Sequence, residues 1–321
     1  MEFLLSDVHD DLASTVDALL TKADVPARTR AWIGGDRGPV EEVFTALAQT
    51  GVNGLLIDES SGGSSAGAIE MVVALEQIGR HALPGPVVES IAVLPVLFRS
   101  GGITGERLSA LAEGAFATCA IPPVAPLAPV SDIAYLVQDG VLSTATAAAA
   151  VATVDPTRHV AELDPAETIA EGVPVDDALD IGTLATAAQL LGMAGAMLTL
   201  AADYAQARHQ FGRAIGSFQA VKHHLADVAI AVEMARPLVH AAALGIDGLV
   251  PEGTDVRRDV AAAKVAAGDA AHLASRRALQ VLGAIGYTTE HDLSLYLTKT
   301  RALLTAWGTP AALRQRVLES L

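Results

Sequence analysis

From Ile181 to Ala202 the chain carries no charge, and alanine, glycine, leucine and threonine make up most of the stretch. A run of that length is either a membrane span or a helix buried on every side. Gly182, Thr183, Thr186, Gln189, Gly192, Gly195 and Thr199 dilute its hydrocarbon character, and Asp203 follows at once. Small residues at this density let helix axes approach closely, so we read it as the core helix of a tight bundle. The composition agrees: hydrophobic residues are 51% of the 321 and aromatic ones only 4%. The core is therefore made of Ala, Val and Leu, in a chain long enough for two domains or one large one.

A net charge of −16, from 37 acids against 21 bases, argues against nucleic acid as a partner, because phosphate binding needs a basic surface. We read the acidic surface as a source of solubility. Cys119 is the single cysteine, so no intramolecular disulfide forms, and it reads as a small buried residue. The opening MEFLLSDVHDDL has acids where a secretory signal would have bases. The expectation is a cytoplasmic protein with no membrane partner.

Three textures divide the chain. Residues 1–98 read as helical, broken by the loop Ser60–Ser65 and by Pro84-Gly85-Pro86; Ala68–Ala82 is patterned as a buried helix. Residues 99–180 contain Pro122, Pro123, Pro126 and Pro129, which forbid long helices. There IAYLV, a turn at Asp139-Gly140, and VLSTA read as a hairpin, so this part is a small β domain. Residues 181–321 read as a helix bundle, with pieces at 183–209, 217–247, 254–284, 292–306 and 310–320 between Gly or Pro stops. The expected fold is mainly α with a small β domain.

Chemistry is sparse. His223-His224 with Asp227 gathers no further metal ligands. Glycine spacings of the dinucleotide, P-loop and nucleophile-elbow types are absent. One segment stands out: YAQARHQFGRAIGSFQAVKHHLADV, residues 204–228. It places Arg208, Gln210 and Phe211 where one long helix stops, and Ser217-Phe218-Gln219 where the next begins. An arginine and a glutamine beside an aromatic at an exposed corner suit a diphosphate and a base.

These residues resemble the acyl-CoA dehydrogenase family. Its pattern R-x-Q-F-G, a turn, then F-Q-x-V-K-H-x-L-A-D corresponds to Arg208, Gln210, Phe211, Gly212, Phe218, Gln219, Val221, Lys222, His223, Leu225, Ala226 and Asp227. Gln280–Tyr287, QVLGAIGY, is similar to the family's Q-x-x-G-G-x-G-Y/F. GVNGLLI at 51–57, Gly62-Gly63, and Glu76–Arg80 followed by Pro84 and Pro86 form a third block. The resemblance spans nearly the whole chain. It implies an N-terminal α domain, a middle β domain and a C-terminal bundle, with FAD lying across a subunit interface. Carried over, Arg208, Gln210, Phe211, Gln219, Gln280 and Gly283 would grip the ADP half of a flavin whose ring belongs to a neighbouring subunit, with Thr309 completing the cofactor set.

The family reaction takes the α-proton of an acyl-CoA thioester with a carboxylate while hydride leaves to the flavin. In most members that carboxylate precedes the Gly-Thr of a Tyr-Glu-Gly-Thr segment; here Trp307 precedes Gly308-Thr309. Members that carry it on a bundle helix would place it at Gly182, counted back from Leu191-Gly192. Asp180 stands two residues earlier, roughly 200° around a helix axis. The family's ring-holding loop, T-E-P-x-A-G-S-D, is replaced by TCAIPPVA at 118–125. No catalytic residue is therefore assigned.

The reading favoured by the resemblance is a non-catalytic subunit of a heteromeric dehydrogenase. It is similar to actinobacterial α2β2 enzymes of sterol side-chain degradation, in which only one subunit type supplies the base and acyl-CoA binds mainly on that partner. Trp307 would fill the space left by the missing glutamate and acyl chain. Two alternatives remain open: a homo-oligomeric FAD acyl-CoA dehydrogenase with a relocated base at Asp180 or Glu290, and a flavin-free assembly subunit.

Overall fold

A computed structural model describes residues 5–320, so the first four residues of the acidic N-terminal segment lie outside the described part. Six helices come first: α1 (Asp7–Lys22), α2 (Val25–Ile33), α3 (Gly38–Gln49), α4 (Ala68–Arg80), α5 (Leu94–Ser100) and α6 (Glu106–Ala112). A π-helical turn, Glu89–Val93, leads into α5. The strands are β1 (Ala117–Ala120), β2 (Ala128–Pro129), β3 (Ile133–Gln138), β4 (Val141–Ala147), β5 (Val160–Ala161) and β6 (Leu163–Ala170). Then come α7 (Asp176–Ala207), the short strands β7 (His209–Gln210) and β8 (Arg213–Ala214), α8 (Gln219–Ile246), α9 (Val256–Leu282), α10 (Leu293–Leu303) and α11 (Pro310–Glu319).

The helical N-terminal part runs to Ala112, past residue 98, which falls inside α5. Gly101 and Gly102 end α5 without ending the helical region, because Leu108 and Leu111 of α6 pack into the same core. At the other side α7 begins at Asp176, seven residues ahead of the expected 183. Its first turn holds Asp176 and Asp177, acids that look like loop in sequence but suit a helix N-terminus.

Four strands form one sheet in the order β1-β3-β4-β6, with β1 parallel to β3 and the other pairs antiparallel. The hairpin read at Asp139-Gly140 is present. Both turn residues have positive φ, 52° and 76°, the geometry of a two-residue turn that matches strand twist. Short strands β2 and β5 pair separately.

The small residues of α7 are used for close helix packing. A Cβ added to Gly192 would fall 1.9 Å from the Glu76 carbonyl of α4, and one added to Gly79 would fall 2.3 Å from the Gln189 carbonyl of α7. The two backbones interlock at glycine on each side. Asp247, just past α8, caps α4 by accepting the N–H groups of Ala68 and Ile69 at 2.7 and 3.1 Å. Buried Glu76 of α4 pairs with Arg236 of α8. One contiguous core therefore joins the N-terminal helices, the sheet and the bundle. Both α7 and α8 are long and apolar enough to cross a membrane; the most apolar window is 78% buried within the protein in α7 and 33% in α8.

Candidate functional site

Trp307 lies between α10 and α11. It adopts φ +51° and Gly308 φ +117°, a turn that folds the indole inward until 3% of the residue is exposed. Its ring lies against Gly182 of α7, where an added Cβ would meet the ring carbons at 2.9 Å. The two positions at which the resemblance looks for a base are thus in contact, and neither bears a carboxylate. The indole Nε1 donates to Glu89 Oε1 at 3.0 Å. Thr183 Oγ1 shares its proton between the carbonyls of Leu179 and Trp307, each 2.8 Å away. Lys264 of α9 donates to the carbonyls of Ala306 and, at 2.7 Å, Gly308.

Sequence reasoning missed the polar frame of this corner. Glu89, on the π-helical turn, is buried, with Arg158 3.7 Å from its Oε1. Asp155 is buried too: its Oδ1 accepts from the Thr157 N–H and hydroxyl, and its Oδ2 is 3.6 Å from Lys299 Nζ. Burial, helped by Arg158, pushes the Lys264 amine down to about 7. Burial, helped by Glu89, pushes the Cys119 thiol well above its ordinary range. The available signal was a lone charge in an apolar run: Glu89 in VVESIAV and Lys264 in AAAKVAA. A charge so placed is buried and paired, or it does not persist. Beside Trp307 a cleft of about 550 Å³ opens between Pro123–Leu127, Thr153–Val154 and Arg301–Thr309.

The suggested alternative bases sit elsewhere. Asp180 is buried and is taken up by arginines, Arg316 at 2.9 Å and Arg257 at 3.0 Å. Burial raises its carboxyl while both guanidiniums pull it down. A carboxylate already holding two arginines is a poor proton acceptor for substrate. Glu290 is exposed in the turn before α10, where its backbone carbonyl accepts from Arg30.

The residues suggested for cofactor binding are all exposed. Where the sequence suggested a short turn, the structure has the hairpin β7–β8, with Phe211 and Gly212 at its tip in left-handed conformation. The residues HQFGRA show no apolar alternation, which hid the strands. Phe211 is 91% exposed and meets Phe218 edge-on at 6.2 Å; Arg213 lies 4.0 Å over the Phe218 ring. The side chains of Arg208, Gln210, Gln219 and Gln280 make no hydrogen bond among the described residues, so their donors are free for a ligand. Gly283 ends α9 with φ +64° and nothing within 4 Å of an added Cβ, leaving room for close backbone approach. Thr309 Oγ1 is occupied, accepting from Ala312 N–H as the N-cap of α11.

Thr309 lies beside Trp307, whereas the other groups share one end of the bundle. α8 runs antiparallel to α9, and Arg277 reaches Asp227 at 3.7 Å near the α9 C-terminus and the α8 N-terminus. From Gly182 to Arg208 is 26 residues of one helix, about 39 Å. The exposed polar cluster and the Trp307 corner are therefore too far apart to hold the two halves of one dinucleotide.

The acyl-CoA dehydrogenase N-terminal domain model matches residues 6–102 and the C-terminal domain model residues 174–321. The chain is 31% identical to acyl-CoA dehydrogenase IpdE2 of Mycobacterium tuberculosis over 312 residues, 95% of each protein. The chain belongs to the acyl-CoA dehydrogenase family. Its fold superposes on the ChsE4-ChsE5 complex of M. tuberculosis with TM-score 0.84 at 23% identity, covering 100% of this chain and 98% of that one. It superposes on the Tcur3481-Tcur3483 steroid ACAD G363A variant with TM-score 0.82 at 23% identity, covering 98% and 97%. These acyl-CoA dehydrogenase folds share the order of helices, small sheet and bundle, and one neighbour, PigA, was solved with FAD and proline (TM-score 0.83, 18% identity, 100% and 99% covered).

Proposed function

We propose that this chain is the non-catalytic subunit of a heteromeric, FAD-dependent acyl-CoA dehydrogenase acting in the cytoplasm. The observation that carries this reading is the separation of its two half-sites. The Trp307 corner is closed by an indole packed on Gly182 and bonded to Glu89. The exposed cluster of Arg208, Gln210, Phe211, Gln219, Gln280 and Gly283, whose Arg208 lies about 39 Å along α7 from Gly182, faces outward with unengaged donors among the described residues. Such a cluster fits the ADP half of an FAD whose ring lies on another subunit: the guanidinium suits a diphosphate, and Gly283 leaves space for it. When bound, FAD supplies the hydride acceptor. The partner supplies the carboxylate base and holds most of the acyl-CoA.

An unpartnered apolar surface supports the subunit role. On α8, Ile230, Met234 and Leu238 form a four-residue-spaced stripe that is 63, 68 and 43% exposed, while Val228, Val232, Ala235 and Val239 face the core. The unlike dehydrogenase subunit is the occupant we assign to it, in an α2β2 assembly. A sterol-derived acyl group is the substrate we favour, supported by the steroid enzyme and the two-component complex among the fold neighbours.

The test is Arg208→Ala in this chain, co-purified with its dehydrogenase-like partner. Arg208 is exposed and its side chain bonds nothing among the described residues, so folding and assembly should persist while bound flavin falls by about tenfold or more. Unchanged flavin in an intact complex would contradict the reading.

A further inference from the structure

A cavity of about 280 Å³ lies between α2, the segment just after it, and the loop before β5. In a chain of net charge −16 its lining is basic: Arg37, Arg158, His159 and Lys299, with no aspartate or glutamate among the lining residues. The nearest carboxylates do not line the cavity and lie beyond good hydrogen-bond distance of its cations. Glu41 and Asp132 are 3.5 and 3.7 Å from Arg37, Glu89 is 3.7 Å from Arg158, and Asp155 is 3.6 Å from Lys299. Arginines elsewhere do better: Arg30–Asp292 is 2.7 Å and Arg28–Glu42 is 2.8 Å. Among the described residues, buried Arg37 Nε makes no hydrogen bond and buried Nη2 has only Glu41 Oε1 at 3.5 Å.

The wall is also held in place. Trp32 Nε1 donates to the Thr157 carbonyl at 3.1 Å, which fixes the indole. The Arg37 guanidinium stacks 5.3 Å above that ring and 5.7 Å from Phe116. Cations that line a cavity and reach their carboxylate neighbours only at 3.5–3.7 Å keep hydrogen-bonding capacity for an oxygen-bearing anion, and charge-assisted bonds of that kind are strong.

We propose that this cavity binds a small oxyanion, a phosphate or carboxylate compound, gripped by Arg37, Arg158 and Lys299 against the Trp32 face. A cavity of about 280 Å³ has room for a compact dianion. Arg158 borders the Trp307 corner as well; Arg37 does not, so it isolates this cavity.

Calorimetric titration of the full chain with pyrophosphate and, separately, succinate tests this. At least one should bind with one-to-one stoichiometry and weaken as salt is added. Pyrophosphate alone identifies a phosphate ligand, succinate alone a carboxylate. Arg37→Gln should weaken binding at least about tenfold, Arg37→Lys should retain part of it, and Arg314→Gln on exposed α11 should leave it unchanged. If Arg37→Gln melts like wild type yet binds equally well, or if neither anion binds, the proposal fails. If Arg37→Gln does not fold, equal binding by Arg37→Lys and wild type together with loss in Arg314→Gln would also overturn it.

Discussion

Lys264 is the only charge in its alanine-rich turn of α9, and its amine grips the carbonyls on both sides of Trp307. Burial brings that amine down to about 7, against 10.5 for a free lysine. Between those values the unfolded chain binds more protons at this site than the folded one. Raising the pH through that window therefore favours the folded state, with a ceiling of about 1.4 kcal/mol per pH unit from this one group. Below pH 7 both states are protonated and the contribution is flat. Lys264→Met should lose this slope: urea midpoints at pH 7 and pH 9 should diverge in the wild type and run closer together in the variant. Equal divergence in both would show that the lysine is charged in the fold. Trp307 drew attention in sequence because it stands before Gly308-Thr309, where the family resemblance looks for a carboxylate. Its partners were not legible, since contacts with Glu89 and Gly182 join residues more than a hundred positions apart.

The element-scale question is why α4 and α7 can interlock. Gly79 and Gly192 leave each backbone open to the other, and no rotamer relieves a methyl aimed at a carbonyl. Gly192→Ala, a substitution that favours an isolated helix, should therefore destabilise the protein by about 3 kcal/mol or more, read from chemical denaturation. A neutral result would mean that the helices can separate locally without loss. The helices themselves were readable from glycine and proline punctuation, and four of the five C-terminal pieces begin and end within a few residues of the expected limits. The start of α7 was hidden because Asp176 and Asp177 resemble a loop. The β7–β8 hairpin was hidden because two-residue strands carry no periodicity.

The whole molecule places an acidic, alanine-rich scaffold around two features that face outward, the Arg208–Phe211 corner and the α8 stripe. Replacing Met234 by Glu puts a charge in that stripe without touching the core, since Met234 is 68% exposed. Native mass should then shift from a mixed tetramer toward smaller species, while the variant chain alone melts as wild type. An unchanged assembly would place the partner elsewhere. Fold class was legible across the chain because three motif blocks occur in order; the proposed interface could be read only as exposed motif residues, because one sequence carries no record of what covers them. The most direct measurement is flavin content and native mass for the chain alone and co-expressed with the proposed dehydrogenase-like partner. A flavin-free chain alone, and one FAD per unlike pair in an α2β2 complex, is the expected result. A yellow homo-oligomer with one FAD per chain would contradict the companion-subunit reading.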